Sequence, residues 1–303
     1  MADGELLACD WGTTHVRAWV LDHAGKAISR KQFPLGVSRL AKGEAAIKFR
    51  SEIRNAMGAD RLPAILCGMI GSTLGWTVVP YRDCPADLGS IAQGVVQVEQ
   101  HPPAWIVPGL KGTGIGSAPD VMRGEETQIL GWLASDPVRA LGRFTVCHPG
   151  THAKWAEITD GRIVRFITAM TGELFDLLRH HSILRADGVA DDELSFDEGL
   201  AVAGDGSALA ARLFTARARA ATGRAPRSPA SYLSGVLIGA EIASLPSLLD
   251  IGGDEPIALL GDPELCRWYA RGMTHAGLRF SVWDGESAVV AGLMALYNRL
   301  VRA

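Results

Sequence analysis

The string Asp10-Trp11-Gly12-Thr13-Thr14 holds the residue types that a phosphate-binding turn needs. Glycine lets the backbone come close to a phosphate, and threonine hydroxyls and N–H groups donate to its oxygens. An aspartate entering such a turn is repelled by phosphate, but it can hold Mg²⁺ through water, and the metal then neutralises the phosphate charge. An ordinary β-turn uses the same residue types, so one copy decides nothing. A second copy exists. Leu7–Thr14 lines up with Thr145–His152, and each string continues through a return strand to a second turn, at Asp22 and Gly25 or at Asp160-Gly161. Two such hairpins in one chain point to two domains that hold a nucleotide between them. The copies differ at one position, where Asp10 in the first corresponds to His148 in the second.

In the second copy, Gly150 and Thr151 are the phosphate donors, with His152 and Lys154 beside them. His148 and His152 have a spacing found in zinc sites, but they flank a turn and no third ligand follows, so zinc is not expected. Gly112-Thr113-Gly114-Ile115-Gly116-Ser117 fails the dinucleotide fingerprint: Ser117 replaces the third glycine and Pro119 follows in place of a helix. The segment Lys111–Pro119 reads as a lid or substrate loop. Asp120–Gln128 is the densest charged cluster of the first half and leads into a helix. Asp120 or Glu125 could take the proton from an attacking hydroxyl, and Arg123 could pair with a substrate carboxylate or the transferred phosphate. Arg39 and Arg82 stand behind it as further cations. Acids at a helix start also favour its dipole, which accounts for Glu125 and Glu126 but not for Arg123.

The chain has 303 residues, 30 basic against 33 acidic, 35 glycines and five cysteines. That length buries about three quarters of the unfolded surface and suits two medium domains. Near-neutral charge without a basic run argues against nucleic acid as a partner. The opening Met1–Glu5 is acidic and unlike a signal peptide. The apolar stretch Leu233–Leu249 carries Ser234, Glu241, Ser244 and Pro246 and is not expected to span a membrane. Scattered cysteines without Cys-x-x-Cys spacing fit a cytoplasmic protein.

Strands are expected at Glu5–Asp10, His15–Asp22, Ala27–Phe33, Pro63–Cys67, Val78–Tyr81 and Ala104–Val107. A helix is expected over Gly43–Asn55 with Ile47 and Ile53 on one side. Helices follow at Glu125–Ala134, Glu173–Arg179, Glu198–Ala221 and Tyr232–Leu248, with Thr215–Pro229 the most loop-like interval. The end reads strand Pro256–Leu260, helix Pro263–Ala276, strand Phe280–Trp283 and helix Glu286–Arg302, an α/β alternation.

Paired phosphate hairpins, one with an aspartate, resemble the actin-like ATPase superfamily of sugar kinases, actin and Hsp70. Longer strings narrow the resemblance. Gly68–Ser72 with Gly75-Trp76 and Pro80-Tyr81, Cys84–Leu88, Asp120–Gln128, Pro149–Trp155, Met170–Phe175 and Leu233–Glu241 are similar to the 2-dehydro-3-deoxygalactonokinase family. The resemblance implies an α/β fold of two ribonuclease H-like (actin-like ATPase) domains with an interdomain cleft, over residues 1–143 and 144–285, with a terminal helix over 286–303 returning to the first. It implies ATP- and Mg²⁺-dependent phosphorylation of the 6-hydroxyl of 2-dehydro-3-deoxy-D-galactonate in galactonate or galactose breakdown. A kinase for a related 2-keto-3-deoxy sugar acid, or a non-catalytic nucleotide switch, is the alternative. It places the first phosphate loop at Asp10–Thr14, with Asp10 orienting the metal, the second at His148–His152, and the adenosine contact around Leu260-Gly261-Asp262. The superfamily's catalytic base is an acid at a helix start in the first domain. Glu125 has the matching position after Gly124, and Asp120 has the usual residue type and a slight preference.

Overall fold

Leu6–Trp11 is apolar at every position except Asp10, as a strand covered on both faces must be. In the computed structural model this strand, β1, lies inside a six-stranded sheet. The structure describes residues 4–249 and 256–302, so Met1–Asp3 of the acidic opening lie outside them. The chain divides into two units. One comprises Met1–Arg143, Ile158–Arg165 and Gly285–Ala303, and the other comprises Phe144–Glu157 and Phe166–Asp284.

In the first unit, β1 is followed by β2 (Val16–Leu21), β3 (Ala27–Phe33), the helical stretch α1 (Glu44–Lys48) and α2 (Asn55–Met57), and β4 (Ala64–Gly68). Then come β5 (Arg82–Asp83), α3 (Leu88–Ala92), β6 (Val96–Gln100), β7 (Pro103–Ile106), β8 (Leu110–Thr113), β9 (Pro119–Met122) and α4 (Glu125–Ala134). The large sheet runs β3-β2-β1-β4-β7-β6, and β5-β8-β9 form a small one. β1 pairs antiparallel with β2 and parallel with β4. Ala45, Phe49, Ile53 and Met57 recur at every fourth position and face the core, packed near Trp11 and Ile70.

Several expected elements change here. Ile47 is 61% exposed while Ile53 is buried, because six residues along a helix turn the side chain well away from the starting face. Val78–Tyr81 forms no strand. Lys111–Pro119 is not a loose lid: β8 and β9 pair antiparallel, and the turn between them is closed by Gly114 N–H donating to Ala118 O at 2.7 Å.

The second unit contains β10 (Arg143–His148), β11 (Ala153–Thr159), β12 (Arg162–Ala169), α5 (Thr171–His181), α6 (Glu193–Ala203), α7 (Leu209–Ala221), α8 (Pro229–Leu248), β13 (Ile257–Gly261), α9 (Pro263–His275) and β14 (Phe280–Asp284). A few terminal residues of these elements fall in the first unit. Its sheet runs β12-β11-β10-β13-β14. This third-second-first-fourth order repeats that of β3-β2-β1-β4, so the duplicated string is the trace of a duplicated sheet. The expected helix Glu198–Ala221 is two helices, broken at Gly204-Asp205-Gly206, and α7 extends into the first part of the interval read as loop, as far as Ala221. By length and composition α8 is apolar enough to cross a membrane. It is a core helix, however, with Tyr232, Leu233, Val236, Leu237 and Ile238 buried.

Candidate active site

The first turn, between β1 and β2, rests on a short backing segment. Val37 N–H donates to Gly12 O at 3.2 Å, Ser38 N–H to Thr13 O at 3.1 Å and Gly36 N–H to Thr14 O at 3.1 Å. The carbonyls of Gly12, Thr13 and Thr14 are thus all occupied, while none of these bonds uses the N–H groups of Thr13 or Thr14. Gly36 is required for this approach, since a Cβ there would lie 2.1 Å from the Thr14 carbonyl carbon. Thr13 and Thr14 are exposed, as ligand donors must be.

Asp10 and Arg17 are direct partners across β1 and β2, and their side chains form an ion pair. Burial lowers the Arg17 pKa, but the charge and hydrogen bond of Asp10 outweigh it and hold the guanidinium above its usual range. Asp10, Gly12, Thr14, His15, Arg17 and Gln32 line a cavity of about 250 Å³. Arg17 was missed in the sequence. Its signal was there, since Asp10 and Arg17 sit at matching distances from the turn, on opposite arms of the predicted hairpin.

Behind Asp10 lies the start of α4. The Cys67 thiol is 3.9 Å from Asp10 Oδ1, and Gly68 next to it leaves no room for a side chain, its Cβ position being 2.8 Å from Trp11 O. Gly124 packs on Gly68 in turn, at 3.3 Å from Cβ position to Cα. Two small residues thereby bring the first turn of α4 beside Asp10. Glu125 is partly exposed on that turn and accepts the Arg123 N–H at 3.0 Å. Glu126, expected only to favour the helix dipole, is fully buried. Its Oε2 accepts the Gly124 N–H at 2.7 Å and its Oε1 the Thr127 hydroxyl at 2.8 Å. Burial, and then the charge of Glu125, push its pKa up to about 7.

Asp120 lies elsewhere, on β9 opposite Gly112, with Oδ1 accepting the Val121 N–H at 2.7 Å. Arg123 points inward: its Nη2 donates to Val79 O at 2.8 Å and its guanidinium stacks 4.3 Å from the Tyr81 ring centre. Among the described residues, its buried Nε and Nη1 have no hydrogen-bond partner. Arg39 ends a short 3-10 turn next to the backing segment, and Arg82 is on β5.

In the second unit the turn between β10 and β11 exposes Thr151 and His152. Lys154 is buried, and its Nζ donates to His152 O at 2.7 Å, bracing the turn. His152 Nε2 meets the Glu173 carboxylate, and His148 is buried. Among the described residues no three His, Cys, Asp or Glu cluster as metal ligands. Gly261 ends β13 against the same turn, its Cβ position 3.5 Å from Pro149 Cδ, and Asp262 then caps α9 by accepting the Glu264 N–H at 3.0 Å.

Comparison with known proteins bears on the family and the fold. The profile of the 2-keto-3-deoxy-galactonokinase family matches residues 10–296. The 2-dehydro-3-deoxygalactonokinase of Escherichia coli is 34% identical over 297 residues, covering 96% of each chain. A crystal structure of a Sinorhizobium meliloti protein assigned to the same activity superposes with a TM-score of 0.85 at 32% identity, covering 97% of this chain and 99% of that one. The fold extends further, to an activator of 2-hydroxyisocaproyl-CoA dehydratase from Clostridium difficile. That structure matches at a TM-score of 0.50 and 9% identity over 98% of this chain and 96% of the other. The architecture is the α/β fold of the actin-like ATPases and sugar kinases.

Proposed function

The chain belongs to the 2-keto-3-deoxy-galactonokinase family, and from that premise we propose that it transfers the γ-phosphoryl group of ATP to the 6-hydroxyl of 2-dehydro-3-deoxy-D-galactonate. The observation that carries this reading is the pair of Gly-Thr turns closing the first strand of two like-ordered sheets, one of them with an acid–arginine pair at its base. The five free cysteines and the use of ATP fit a cytoplasmic enzyme of sugar-acid breakdown.

Each group has a task in this reaction. The Thr13, Thr14, Gly150 and Thr151 turns donate to phosphate oxygens, with His152 on the rim of the second turn. Gly261, a bare backbone next to Pro149, leaves room for the nucleoside. Mg²⁺, when bound, neutralises phosphate charge. Asp10 would hold it through water, which suits an ion that keeps most of its hydration and rides on the phosphates. Arg17, which lines the same cavity as Gly12 and Thr14, would be the cation facing the phosphoryl group.

We assign the base to Glu125, because the Gly68–Gly124 contact sets its helix turn beside Asp10, whereas Asp120 is carried by β9. Glu125 takes the proton of the attacking hydroxyl. The acceptor's carboxylate needs a cation, and Arg123, two of whose nitrogens have no hydrogen-bond partner among the described residues, is the candidate. Most of the acceleration then comes from positioning and charge neutralisation.

The test is a phosphoryl-transfer assay over a panel of 2-keto-3-deoxy sugar acids differing in hydroxyl stereochemistry. Transfer fastest to the galacto acceptor, with the phosphate on O6, is expected. Slow ATP hydrolysis with no acceptor phosphorylated would instead identify a nucleotide switch, and a different preferred acceptor would reassign the substrate.

A further inference from the structure

Two strings of the sequence, Met170–Phe175 and Leu233–Glu241, have no part in the chemistry above, yet one buried carboxylate joins them. Glu241 on α8 is only 6% exposed. Its Oε1 accepts the Trp155 Nε1–H at 2.7 Å, and its Oε2 accepts the Tyr269 hydroxyl at 2.9 Å and the Thr171 hydroxyl. Trp155, Thr171 and Tyr269 are themselves buried, so β11, α5, α8 and α9 meet at two oxygen atoms. Burial raises the Glu241 pKa and the three donors oppose that rise. A carboxylate removed from water is costly to keep, and apolar packing would fill such a place as well or better for stability alone.

What the carboxylate fixes is the start of α5. Thr171 is the first residue of that helix, and the next two residues lie against the second turn. A Cβ on Gly172 would be 2.6 Å from Gly150 O and 2.8 Å from Thr151 Cα, so the helix backbone touches the turn directly. Glu173 N–H donates to Thr151 O at 3.0 Å, and its carboxylate meets His152. We propose that Glu241 is a positioning residue for ATP. Through Thr171 it holds the first turn of α5 under Gly150–His152, so that the donors of the second turn keep the spacing the phosphates need. The inference rests on the phosphate-binding reading of that turn.

Thr171→Val removes the linking hydroxyl and keeps the side-chain shape; Thr171→Ser restores the hydroxyl. Tyr269→Phe removes a second donor from the same Glu241 oxygen without touching α5. The readouts are KM for ATP, KM for the acceptor, ADP affinity by calorimetry and Tm. Thr171→Val is expected to raise KM for ATP and the ADP Kd by about tenfold or more, equivalent to about 1.4 kcal/mol, with the acceptor KM unchanged. Thr171→Ser should match wild type, and Tyr269→Phe should lower Tm while leaving nucleotide affinity intact. If Thr171→Val lowers Tm alone, or if Tyr269→Phe weakens ADP binding equally, Glu241 is a structural residue and the proposal is overturned. Wild-type protein that binds neither ADP nor ATP overturns the phosphate reading, and this proposal with it. Wild-type binding with an unaffected Thr171→Val variant overturns this proposal alone.

Discussion

At the scale of single residues, the site turns on acids that look alike in sequence and differ in surroundings. Asp10 pairs with Arg17 in the lining of a cavity. Asp10→Asn is isosteric and should leave the fold intact, while phosphoryl transfer falls by about 10²-fold or more, the usual cost of losing one element of transition-state charge stabilisation. Near-normal turnover in that variant would remove Asp10 from the metal. Glu125 and Asp120 are separated by the same approach. Glu125→Gln should cost about 10²–10⁴-fold in kcat with both KM values little changed, and Asp120→Asn should stay close to wild type. The opposite pattern would return the base to β9. The sequence left these two acids unresolved because a count along the chain does not say that Gly68 and Gly124 touch.

At the scale of elements, small residues decide which helices can meet. Gly131 on α4 and Gly292 on the C-terminal helix Gly285–Arg302 stand face to face. A Cβ at Gly131 would lie 2.0 Å from Ala288 O, and one at Gly292 would lie 2.1 Å from Thr127 O. Both obstructions are backbone and cannot swing aside. Gly131→Ala should therefore destabilise the first unit by about 1–3 kcal/mol, despite alanine's better helix propensity, and a denaturant titration measures it. A gain in stability would mean that the two helices can separate without cost. The same C-terminal helix is tied to β2 and β3 through Glu286, which accepts Trp19 Nε1–H at 3.1 Å and Arg30 Nη2–H at 2.8 Å. The strands of the two large sheets that were expected, such as Leu6–Trp11 and Ile257–Gly261, were legible because an apolar run bounded by turns has few other outcomes. By contrast, Val78–Tyr81 formed none, and the hairpin of β8 and β9 was read as a loop. The Gly43–Asn55 helix was placed but its face was not, since Ile47 and Ile53 are equally apolar and only the 45/49/53/57 register finds the core.

At the scale of the whole molecule, opposing groups set the pH dependence of stability. Glu126, pushed up to about 7 by burial and Glu125, binds its proton more tightly folded than unfolded. Its contribution is complete below the ordinary carboxyl range, near pH 4.5, and is lost as pH rises towards 7. Asp87, held low by the Ser90 N–H, and Glu286, held low by Arg30, act in the other direction. Their contributions are present above the ordinary range and lost as pH falls through their folded values. Thermal melts should therefore give a higher Tm in weakly acid buffer than at pH 7.5, and Glu126→Gln, which cannot ionise, should flatten that slope. A wild-type Tm that rises from pH 5 to pH 7.5 would contradict the buried, proton-retaining state of Glu126.

By itself the sequence determined the duplicated strand-turn-strand unit, the two Gly-Thr turns and the α/β class, because each is written in neighbouring residues whose types and period leave little choice. It also held the strings that the family resemblance rests on. Only the tertiary structure decided that Arg17 neutralises Asp10, that Glu126 is buried beneath Glu125, that Lys154 braces a turn from within, and that Glu241 gathers donors from three other elements. Those pairings join residues through strand register and helix contact. Burial then changes what the same side chain can do, and neither contact nor burial is a property of a residue's place along the chain.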